Sequence, residues 1–229
     1  MRTTFLASVA LLVACDGHNG DAAPDDGTWD IDVRGVPTFM DASYVELDKI
    51  HRVSRFRSGI GHDYSDSFEH CRSMKHYFEP KAELDWSTVG VASPVTGEVT
   101  RVEPEWAGTK VEIQSAAFPA FRVVIFHVQL SSALAVGHTL QAGQALGHHV
   151  GAQTASDIAV LVNDPTRQGR FVSYFETLGD AVFGQFAARG VASRQDAIIS
   201  AAERDADPLT CTGDAFADPG TVPNWIILD

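Results

Sequence analysis

His62 and Asp66 lie four residues apart in Gly59-Ile60-Gly61-His62-Asp63-Tyr64-Ser65-Asp66 and present an imidazole nitrogen and a carboxylate, both zinc-type ligands. Alone the pair carries little, because 9 histidines and 30 acids in 229 residues produce such a spacing by chance. Its meaning depends on what else reaches it. His127 sits inside the apolar run Val123-Val124-Ile125-Phe126-His127-Val128, and Asp157 opens another, Asp157-Ile158-Ala159-Val160-Leu161-Val162. A zinc site that acidifies its bound water would need a further ligand beside the His62 and Asp66 pair. No Gly-x-Ser-x-Gly elbow is present, so the nucleophilic serine of an α/β-hydrolase has no place here.

The elements that must position these groups are short β-type runs broken by turn residues. They cover Val89 to Ala92, Glu98 to Glu103, Lys110 to Gln114, Arg122 to Val128, Ala145 to Val150 and Asp157 to Val162. Pro94, Gly97, Gly108, Pro119, Gly137, Gly143 and Gly151 mark the turns, and Trp106-Ala107-Gly108 forms a loop between two strands. Past Asp164-Pro165 the period becomes helical: Phe171, Tyr174, Leu178, Val182 and Phe186 predict a buried helix face that ends before Gly190. Ser193 with Asp196 predicts a second capped helix running toward Pro208, and the apolar Trp225 to Leu228 predicts a tail tied back onto the domain.

Three further segments carry a resemblance: Ser93-Pro94-Val95-Thr96-Gly97-Glu98-Val99, the run through His127, and Val136-Gly137-His138-Thr139-Leu140-Gln141-Ala142-Gly143-Gln144-Ala145-Leu146-Gly147. With the His-x-x-x-Asp pair, and in this order, they resemble the lysostaphin and LytM-type zinc metallopeptidases that cut peptidoglycan peptides. The resemblance covers about Gly59 to Asn163 and implies a mainly β fold, the LytM-like duplicated-hybrid-motif antiparallel sheet, with a C-terminal α-helical extension. It implies that His62 and Asp66 are metal ligands and that His127 acts on the metal-bound nucleophile. Where the family has His-x-His on its last strand, this chain reads Asp157-Ile158-Ala159, which puts Asp157 at a catalytic position and a methyl at the third ligand. Two ligands hold zinc poorly, so weak or absent zinc is expected. The alternative is an active zinc metalloendopeptidase with a substitute ligand, Asp157, His70 or His76. Biotinyl and lipoyl carriers share the Val-Gly hairpin, but they need a lysine after it and Lys110 is the last in this chain.

Met1 to Ala14 combine Arg2 with a short apolar run, and Leu12-Val13-Ala14-Cys15 resembles the bacterial lipobox. This implies a lipoprotein signal over 1–14, lipidation of Cys15, and export to the cell envelope with a membrane anchor. Residues 15–30 are too polar to offset the entropy of ordering and read as a tether. A LytM-like domain over 31–164 and a helical extension with tail over 165–229 follow. With Cys15 acylated, Cys71 and Cys211 remain as one pair in an oxidising compartment, and a disulfide is expected. The net charge of −13 argues against nucleic acid as a partner. Peptidoglycan peptides or an envelope protein are the expected partners, bound by a domain closer to a pseudoenzyme than to an enzyme.

Overall fold

The computed structural model describes residues 27–229, so Cys15, the signal segment and most of the tether lie outside the described residues. The chain is mainly antiparallel β-structure with a helical region toward its C-terminal end, as its sequence predicts. A short helix, α1 (Ile31–Arg34), precedes β1 (Ile50–Ser54), β2 (His76–Pro80), β3 (Gly90–Ala92), β4 (Gly97–Pro104), β5 (Thr109–Ser115) and β6 (Phe121–Leu130). Then follow β7 (Thr139–Leu140), β8 (Ala145–His149), β9 (Ser156–Asn163), β10 (Gln168–Val172), α2 (Tyr174–Thr177), α3 (Asp180–Ala187) and α4 (Ala201–Ala206). A small hairpin, β11 (Thr210–Thr212) with β12 (Ala215–Asp218), and β13 (Trp225–Ile227) complete the order.

The large sheet runs β13-β1-β2-β9-β6-β5-β4-β7; β10 also pairs with β9, and β8 bridges β6 and β3. Strand alternation decides which side chains meet, because successive residues point to opposite faces. Val123 and Ile125 of β6, and Ile158, Val160 and Val162 of β9, enter the main core with Phe78, Tyr174, Phe175 and Phe186. Val124, Phe126 and Ala159 face the other way and form a small cluster with Tyr64 and Phe171. Asp157 shares the strand face of Ala159, so the candidate site lies on the face opposite the main core.

Three features differ from the sequence expectation. Val136–Gly147 does not fold as a hairpin, since β7 pairs with β4 while β8 pairs with β3 and β6. Phe171 belongs to β10, and the expected helix breaks into α2 and α3 because Leu178 and Gly179 are extended. The second helix begins on the expected capping box of Ser193 and Asp196, but Ile198 is extended and bridges Phe56, so α4 restarts from Ser200. The tail does return: β13 pairs with β1, and Leu228 is buried.

Cys71 and Cys211 form a disulfide across 140 residues. The loop of residues 55–75 that carries His62 is therefore tied to the C-terminal segment, and other contacts reinforce the tie. The Gly59 amide donates to Asn224 Oδ1 and the Asp63 amide to the Asp214 carbonyl. Gly59 also lies against Pro219, where an added Cβ would come within 2.7 Å of a backbone oxygen. Cys71→Ser is expected to lower the unfolding free energy by about 2–5 kcal/mol, the range for native disulfides. Urea denaturation of the variant beside the oxidised wild type measures it.

Candidate functional site

A cleft of about 470 Å³ opens on the face opposite the main core, lined by His62, Tyr64, Lys75, Tyr77, Trp106, Phe126, His127 and Asp157 among others. Of the residues expected to converge, His62, His127 and Asp157 do so. They arrive by different routes. Asp157 stands on β9 opposite Tyr77 of β2 and has no exposure to solvent. His127 occupies a positive-φ conformation (58°) where β6 leaves β9 and joins β8, opposite a register shift in β5. Such a bulge re-aims a side chain at the cost of some backbone strain. His62 comes from the loop, where Gly61 lies so close to the Tyr77 hydroxyl that any side chain would collide with it.

The two imidazoles have defined tautomers, because a carbonyl can only accept. His62 Nδ1 donates to the Asp63 carbonyl (2.8 Å), and His127 Nδ1 donates to that of Ala107 (2.9 Å). Glu105 supports His127 by accepting its backbone N–H at 3.0 Å. When neutral, each ring turns the lone pair of Nε2 toward the cleft. His127 Nε2 lies 3.6 Å from Asp157 Oδ1, and that oxygen has no hydrogen-bond partner.

Lys75 is the cleft residue that the sequence did not single out. It lies in a segment dense in polar groups, yet it is 2% exposed. Its Nζ donates to Asp157 Oδ2 at 2.8 Å and lies 3.4 Å from His62 Nε2. The ammonium sits 3.6 Å from the ring centroid of Phe126 and 4.2 Å from that of Tyr64. Its position immediately before β2 and two residues from Tyr77 was the available signal, since the pleat sends both to one face. Trp106, 74% exposed, stands at the rim with its ring 5.5 Å from His127.

The other sequence candidates lie elsewhere. Asp66 is spent on backbone amides: Oδ1 accepts from Phe68 and Glu69, and Oδ2 from Phe171. His70 is exposed and does not line the cleft. His76 faces the opposite side of β2, one residue's step from Lys75; its Nδ1 donates to the Ser54 carbonyl and its Nε2 accepts from Ser173 Oγ. Ala159 is buried among Val124, Phe126 and Tyr64, so position 159 offers a methyl inside packed apolar side chains. Among the described residues no three His, Cys, Asp or Glu side chains gather in an arrangement that could hold a metal ion. The zinc implied by the family resemblance thus does not fit: an ammonium takes Asp157 Oδ2 and faces His62 Nε2, Asp66 is engaged elsewhere and position 159 has no donor, which leaves too few ligands for such an ion.

No protein-family model and no curated protein matches the chain. Among solved structures, a chain of the SpoIIQ–SpoIIIAH pore forming complex is similar at 13% identity and a TM-score of 0.44, over 65% of this chain and 96% of that one.

His76 yields a pH prediction. Burial pushes its pKa down from 6.5 to about 4, against the opposing hydrogen bond to Ser54. The unfolded chain takes up this proton below pH 6.5 while the fold refuses it, so stability is intact above 6.5 and falls as pH drops toward 4. About 2–3 kcal/mol should disappear between pH 7 and pH 4.5 on this account. His76→Gln should flatten that part of the profile, measured by urea denaturation at both pH values.

Proposed function

We propose that this protein is an exported envelope lipoprotein, anchored through Cys15, whose LytM-like domain binds peptidoglycan peptides without cutting them. The observation that carries the reading is the donor set. His62 and Asp157 face the Lys75 ammonium, Asp66 is engaged by three backbone amides, and Ala159 supplies no donor atom. Catalytic zinc needs three protein ligands to hold it and to acidify its water. Without them, the family's hydrolytic step has no nucleophile.

What remains suits binding. The cleft has the size of a small-ligand site, with aromatic walls and a few polar groups to orient an amide. The disulfide suits an oxidising compartment outside the cytoplasm. Peptidoglycan as the ligand comes from the family resemblance, and an envelope protein is the other partner it allows.

The lipid-free domain should co-sediment with purified sacculi, carry well under one zinc per chain, and release no peptides from them over hours. Trp106→Ala removes the exposed aromatic at the rim and should weaken retention at least about fivefold, as aromatic anchors do at interfaces. Stoichiometric zinc with peptide release would replace this reading by the active endopeptidase. Absence of retention would remove peptidoglycan as the ligand.

A further inference from the structure

An ammonium out of water must find partners that replace its hydration shell, or its burial is prohibitive. Lys75 finds three kinds: a carboxylate oxygen, an imidazole nitrogen whose tautomer is fixed from behind by Asp63, and the faces of Phe126 and Tyr64. The first two are donors that hold zinc. The aromatic faces attract an organic cation through the ring quadrupole. The site is therefore built around a positive charge, and its chemistry suits an ammonium.

We infer that Lys75 is a tethered cation that stands in for a divalent ion, holding the His62, Asp157 and His127 side of the cleft in shape with no metal to gain or lose. The inference rests on the LytM-like reading only for where a metal would otherwise sit. Its internal logic is charge balance. An aspartate at 157 brings a negative charge into a position without solvent access, and Lys75 supplies the matching positive one from the neighbouring strand's end. Oδ2 is thereby used, leaving Oδ1 and His127 Nε2 3.6 Å apart. A cleft locked in this way is indifferent to chelators and to metal supply, unlike one assembled on an exchangeable ion.

The test uses the disulfide-intact domain with zinc chloride as the probe. Wild type should show the same melting temperature in EDTA and in excess zinc, and should retain no zinc equivalent that His62→Ala abolishes. Lys75→Ala should lose on the order of 10 °C in EDTA, because it strands the Asp157 carboxylate. Zinc should restore part of that loss by occupying the vacated place, and His62→Ala in the Lys75→Ala background should cancel the rescue. Should Lys75→Ala fail to fold even with zinc, Lys75→Met combined with Asp157→Asn decides the matter: the double variant should melt closer to wild type than either single one. Wild-type zinc uptake through His62, a folded Lys75→Ala without zinc rescue, or additive losses in the double variant would each overturn the inference. None of these outcomes depends on sacculus binding, so failure of the peptidoglycan reading is seen separately.

Discussion

A carboxylate cut off from water has to be neutralised where it stands, and Asp157 is such a group at the head of the strand on which the sheet converges. β9 is flanked by β2, β6 and β10, and the pair with Lys75 ties its first residues to the start of β2. The energetic meaning of such a pair is asymmetric. Replacing both partners by well-packed apolar groups is often neutral, whereas removing one leaves a buried charge with nothing to answer it. The pair therefore specifies an arrangement more than it adds net stability. It fixes which residue of β2 faces Asp157, and with it which way His62 must turn.

The sequence disclosed the framework unevenly, for reasons visible in particular residues. The run of β-type residues over Val123 to Val128 and again over Asp157 to Val162 located β6 and β9, whose two faces enter two buried clusters. It also placed 157 and 159 on one face. β2 escaped notice, since His76, Tyr77 and Phe78 are all buried and show no polar alternation. The histidine that looked like a spare ligand, His76, consequently belongs to the core side, and its neighbour Lys75 faces the cleft.

His127 could be named from its place in an apolar run, but its aim could not. A register shift and a left-handed backbone turn it toward Asp157, and both arise from β6 changing partner between β9 and β8. Asp66 fails for the opposite reason. Its spacing from His62 suits coordination, yet an acid in a tight loop beside free backbone N–H groups is captured by them first. A short strand such as β13 owes its existence to a partner remote in sequence, β1, which local propensity does not report.

The disulfide has a consequence for the order in which the molecule becomes whole. Cys71 waits for a partner 140 residues further along, and the loop bearing His62 also leans on Pro219 and Asn224. A chain made from its N-terminus onward presents β2, β6 and β9 well before that strap arrives. One wall of the cleft is consequently the last part to be secured, and a polypeptide clipped before Cys211 would keep the central strands while lacking the brace behind His62. The cleft thus doubles as a check that the chain is intact through residue 224.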